Sequence, residues 1–213
     1  MEVIGLTVLF FVLAAGGFAA WWFSADQRGK RRLKEALKTR IADAPQDALV
    51  KITGTLARVD ERELEAPITG RRCVGYVIDV KEHRVAGANP HWETIILKED
   101  AIPFLLEDET GTALVHANGA HLVLVRDGHV RSGALDEHSE RAKAFLMAQG
   151  TESENVIRKK KAFRYEEGVL EPGEEVSVLG VAHWEHDAEG TKRLVLDPAR
   201  GQTLTISDDP STL

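Results

Sequence analysis

Leu49-Val50-Lys51-Ile52-Thr53-Gly54-Thr55-Leu56 sets the pattern for most of this 213-residue chain. Val50, Ile52 and Leu56 alternate with Lys51, Thr53 and Thr55, a period of two that puts aliphatic side chains on one face of a half-buried strand. Gly54 interrupts the apolar row, the kind of break at which a barrel strand bends or bulges. After a turn marked by Pro67 and Gly70, Val74, Tyr76, Ile78 and Val80 repeat the alternation, with Cys73, Gly75, Val77, Asp79 and Lys81 on the other face.

The same grammar continues downstream. Residues 92–98 and 102–106 read as strands, and Asp108-Glu109-Thr110-Gly111 as a hairpin turn onto 113–117. The run 122–125 precedes Asp127-Gly128, a second hairpin signal. One helix interrupts the series: Asp136 caps it, Ala142, Phe145 and Leu146 face inward, and Gly150 ends it. Phe163 and Tyr165 then alternate with Arg164 and Glu166, and Glu171-Pro172-Gly173-Glu174 turns the chain into Val176, Val178, Gly180 and Ala182. Residues 194–196 and 203–206 are the last strands. Short strands divided by turn residues, not alternating with helices, specify a mainly β fold, an OB-like or barrel-like antiparallel domain over residues 45–207 with one inserted α-helix. Ile52, Tyr76, Ile78, Phe104, Val178 and Leu204 belong to its expected core, and residues 208–213 to a loose tail.

Upstream, Val3 to Phe23 carries no charge. About 21 residues rising ~1.5 Å each reach roughly the thickness of a bilayer core, and Trp21, Trp22 and Phe23 stand where an interfacial aromatic belt belongs. This predicts a single-pass transmembrane anchor over residues 1–23. The basic residues follow the apolar run instead of preceding it, which argues against a cleaved signal peptide. Arg28, Lys30, Arg31, Arg32 and Lys34 form a collar that the positive-inside rule places in the cytoplasm, with the N-terminus outside. These five are the expected membrane-surface contacts, within a juxtamembrane helix or linker over residues 24–44. Leu33, Leu37 and Ile41 recur at helical spacing, which extends that helix toward Pro45.

Charge and residue chemistry narrow the function. Residues 24–44 hold seven basic and three acidic side chains, whereas residues 45–213 hold twenty basic and thirty acidic ones. So acidic a domain is a poor partner for nucleic acid, and membrane lipids and a protein or peptide are the partners expected. Cys73 is the only cysteine. No disulfide and no thiolate zinc cluster forms within the chain, and a Cys73 hydrolase would need His83, His91 or His116 brought to it by folding. His183 and His186, three apart on a strand, point to opposite faces. The cations Arg158 to Lys161 read as a solvated loop or a phosphate contact. No nucleophile elbow or phosphate loop is present, so no catalytic residue, metal or cofactor is assigned.

Several stretches, taken together, resemble the GIDE domain family, the β-rich domain of the mitochondrial membrane ubiquitin ligase MULAN and of prokaryotic membrane proteins. They are Val50 to Thr55; Pro67-Ile68-Thr69-Gly70-Arg71-Arg72-Cys73-Val74-Gly75-Tyr76; the Trp92 strand; Pro103-Phe104 leading to Asp108 and Gly111; and Arg164-Tyr165-Glu166-Glu167-Gly168 with Gly173-Glu174 and Gly180. The resemblance implies a membrane-tethered interaction or regulatory domain. It also implies, as an alternative, a ubiquitin-transfer activity, which in such ligases depends on a RING of Cys and His zinc ligands that one cysteine does not supply.

Overall fold

The computed structural model describes residues 26–86, 89–131, 137–149, 162–186 and 190–213. The apolar run Val3 to Phe23, the capping positions Asp136 and Gly150, and Arg158 to Lys161 lie outside the described residues. Among those described, no helix is long and apolar enough to cross a membrane.

Five strands close into a barrel: β1 (Ala48–Arg58), β6 (Phe104–Asp108), β7 (Gly111–Val115), β12 (Lys192–Asp197) and β11 (Glu175–His186), with β11 returning to β1. Closure depends on one long strand serving two partners. Residues 48–55 of β1 pair with β11 and residues 55–58 with β6. The hand-over falls beside Gly54, where a Cβ would meet the Glu107 carbonyl oxygen at 2.3 Å, so only glycine lets β6 approach this closely. Alternation fills the interior with Val50, Ile52, Leu56, Phe104, Leu106, Val115, Val178, Leu194 and Leu196. β13 (Thr205–Ser207) and β8 (His121–Val123) extend the sheet from β11.

A second sheet runs β5 (Asn89–Ala101), β4 (Gly75–Ala86), β10 (Phe163–Leu170), β9 (Gly128–Arg131). The helix α2 (Glu137–Ala148) supplies Ala142, Phe145 and Leu146 to a separate core with Ile68, Cys73, Tyr76, Ile78, Val80 and Tyr165. β4 is the wall between the two cores. Val77 faces the barrel and Tyr76, Ile78 and Val80 face the second core, so both faces of this strand are buried over residues 75–78. All six expected core residues are buried, four in the barrel and two in the second core.

Several expectations change. The barrel-like domain is not wholly antiparallel: β12 pairs with β7, and β13 with β8, in parallel. The chain leaves after β7, builds β8, β9, α2 and β10, and returns through β11, so no hairpin joins the parallel partners. Asp127-Gly128 makes no hairpin either, since β9 pairs with β10 rather than β8. Cys73 shares a core with Tyr76 and Ile78, not the opposite face, because the strand breaks at Val74 between β3 (Arg72–Cys73) and β4.

The N-terminal helix α1 (residues 26–35) stops short of the expected boundary. Leu33 is fully buried, but Leu37 is 88% exposed and Ile41 is buried in a 3-10 turn. Pairing with β1 outcompetes helix continuation here: Lys38 bridges Lys51, and the Thr39 N–H donates to the Lys51 carbonyl at 2.8 Å. The tail is docked, not loose. Thr212 is fully buried and its carbonyl accepts from Ser177 Oγ at 3.0 Å, while Asp208 Oδ1 accepts from the Val125 N–H at 2.8 Å.

Candidate interaction surface

The reactive-looking residues are dispersed. Cys73 is 1% exposed, and its thiol donates weakly to the Leu64 carbonyl at 3.8 Å. Burial pushes that thiol up to about 12, with the carboxylates of Glu167 and Glu171 adding to the shift, so it carries almost no thiolate near neutral pH. His83 stands 5.1 Å from the Trp92 ring, while His116 and His183 bond Asp197 and Asp47, each at 2.7 Å. Among the described residues no group of three or more His, Cys, Asp or Glu converges on a possible metal position.

Two polar residues that the alternation left unassigned organise the second sheet. Glu167 is fully buried and accepts from the N–H groups of Ile68 and Thr69 at 2.9 Å each and from Thr69 Oγ1 at 2.5 Å. A signal for it existed: it lies in register with Phe163, Tyr165 and Val169, an acid on an inward row. Arg71 grips Asp127 through two bonds of 2.6 and 2.8 Å and reaches Glu171 at 3.4 Å. This clasp holds Asp127-Gly128 at the passage from β8 to β9, which explains the absent hairpin. Nothing in Arg71-Arg72 distinguishes such a clasp from surface charge.

Among the described residues β5 is the longest strand at a sheet edge, with β8 and β9 among the shorter ones. It pairs with β4 along one side, and among the described residues no strand pairs with its other side. A register shift opposite Val80 and Lys81 leaves Ile95 without a partner residue, so the outer half of the hairpin twists away from the inner half. On that outer half, Trp92 is 36% exposed between His83 and the Arg164 guanidinium, which lies 4.6 Å from its ring centroid. Val85 beside it is 68% exposed. Lys81, bonded to Glu166 at 2.5 Å and 3.3 Å from Asp79, fixes the neighbouring rows.

A model of the GIDE family, described as E3 ubiquitin ligase, matches residues 78–212. The chain belongs to the GIDE family. The match opens inside β4 and runs to the docked tail, so this GIDE domain draws its barrel-closing strand β1 from residues ahead of the matched region. Neither the curated proteins nor the solved structures yield a match.

The collar of the GIDE domain divides. Lys30 meets Asp209 at 3.0 Å, Arg31 meets Glu35 at 2.7 Å, and Arg32 bonds Gln202. Arg28 and Lys34 are exposed and have no ion partner among the described residues. A cleft of about 460 Å³ is lined by Lys38, Arg40, Thr53, Thr55, Glu107 and Glu175 among others.

Proposed function

We propose that this GIDE domain is a single-pass membrane-anchored cytoplasmic module that holds a partner protein by accepting an extended segment of it along β5. The observation that carries the reading is the unpaired side of β5, a strand of 13 residues with Trp92 exposed on its outer half and Val85 of the paired strand β4 exposed beside it. An open edge offers main-chain hydrogen bonds to an incoming strand, and flanking aromatic and aliphatic side chains select its sequence. The anchor and orientation rest on Val3 to Phe23 followed by the basic collar, in which Arg28 and Lys34 are free to meet anionic headgroups.

The ligase named in the family description is not extended to this chain. Its single cysteine is buried and protonated, and no residue is assigned a catalytic role. A photo-crosslinking residue placed at Trp92 or Thr94 of the full chain in its native membrane tests the reading. Discrete protein adducts at those positions, absent from the same residue at Thr112 on β7, are expected; adducts equal at all three positions, or found at Thr112 alone, contradict it. A reporter fused after Leu213 should be active only on the cytoplasmic side.

A further inference from the structure

We infer that Lys38 and Lys51 form a binding site for a phosphate-type anion at the membrane-proximal flank of the barrel. The site is independent of the β5 reading; only its lipid source rests on the proposed anchor. Lys38 bridges Lys51 in parallel, and the Thr39 N–H donates to the Lys51 carbonyl at 2.8 Å. Residues opposed across such a bridge send their side chains to the same side, from backbones about 4.8 Å apart. Two ammonium groups of like charge therefore leave the sheet side by side.

Several cations of this acidic chain have an acid beside them: Lys30 has Asp209, Lys81 has Glu166, Arg71 has Asp127 and Lys143 has Glu140. Lys38 and Lys51 have no ion pair and no side-chain hydrogen bond among the described residues, although Lys51 is only 6% exposed. Burial, and then repulsion from Lys38, pushes the Lys51 ammonium below its ordinary value. Like charges directly opposed are unfavourable, and an unpaired buried cation more so. An anion with several acceptor oxygens between the two ammonium groups converts both penalties into charge-assisted hydrogen bonds.

The neighbouring acids do not fill that position. Glu107 and Glu175 are in register with Thr55, four residues along β1 and about 13 Å from Lys51 by strand rise. Asp108 is occupied by the N–H groups of Ile41, Thr110 and Gly111 and by Thr110 Oγ1, and Arg40 is paired with Asp43. Glu109 is the remaining acid on the cleft wall, and it follows Asp108 in the turn at the far end of β6. Lys38 follows Phe23 by fifteen residues, ten of which form α1, a helix about 15 Å long. A lipid headgroup is thus within reach, and free phosphate is the other source of the same chemistry.

The test uses the full chain in neutral detergent, with inorganic phosphate and dihexanoyl phosphatidylglycerol as probes. Acylation of individual lysines by an amine-reactive ester is followed by mass spectrometry. Both Lys38 and Lys51 should be shielded by a probe while Lys34 reacts as before. Lys51→Met and Lys38→Gln should each weaken the probe by about tenfold or more, since each removes a hydrogen bond to a charged group. Neither should lower the unfolding temperature, because each also removes the like-charge repulsion, which separates ligand binding from a merely structural role. Stronger shielding by the lipid assigns the site to headgroups, and equal shielding by phosphate assigns it to the free anion. No shielding by either probe, or undiminished affinity in the double variant, overturns the inference.

Discussion

The barrel and the second sheet are built from the same alternating strands but end differently. In the barrel, β1 pairs with both β11 and β6, the circle closes, and no edge is left among its five strands. In the second sheet the hairpin β4–β5 runs outward, and β5 keeps one side unpaired. Closure removes the docking capacity that an edge provides, which is why the proposed docking is placed on the open sheet and not on the barrel. β4 joins them, since it contributes Val77 to one core and Ile78 to the other.

The largest effect should come from the barrel. Phe104 is fully buried, and Phe104→Ala should cost about 3 to 5 kcal/mol and lower the unfolding midpoint seen by every probe. Ile78→Ala on the opposite side of the dividing strand should cost about 2 to 5 kcal/mol, with amide protection lost in β4, β10 and α2 before the barrel. Equal loosening of both regions by Ile78→Ala would show that they do not behave as separate layers. A smaller effect is expected at Glu167, where Ala leaves the Ile68 and Thr69 N–H groups without their acceptor, at about 1 to 3 kcal/mol in denaturant titration.

Much of this division was legible in the residues. The period of two in Val50 to Leu56 and Val176 to Ala182 marks the barrel interior, and Ala142, Phe145 and Leu146 mark the face of α2. The two layers were not, because the other row of β4, with Gly75, Val77, Asp79 and Lys81, carries a single aliphatic side chain and does not read as the face of a second core. Leu37 fits a helical stripe that only the bridge of Lys38 to Lys51 breaks. Asp127-Gly128 carries a turn signal that the Arg71 clasp overrides. Parallel pairing of β7 with β12 depends on strands some eighty residues apart, beyond the reach of local pattern. Of the candidate site, the Trp92 strand was recognisable, but its being an edge follows from tertiary order alone.

The docked tail adds a pH dependence. Burial raises Asp208 to about 6 from an ordinary 3.8, so the folded protein holds this proton more tightly than the unfolded chain. Stability from Asp208 is greatest below about pH 4 and falls as the pH rises toward 6. Asp208→Asn, which keeps an acceptor for the Val125 N–H, should flatten that decline in thermal unfolding followed across this window. A smaller change is expected from Cys73→Ser, within about 1 kcal/mol, because the site is a small packing position with the Leu64 carbonyl as acceptor.

Among the described residues β5 is an open edge, while the barrel is closed. Residue-resolved amide hydrogen exchange on the full chain in a lipid nanodisc addresses it directly. Along β5, amides turned toward β4 should be protected and those on the other side should exchange quickly, in alternation, while β1 and β11 stay protected throughout. Uniform protection along β5, equal to that of β1, would mean that its outer side is already covered and would contradict the account.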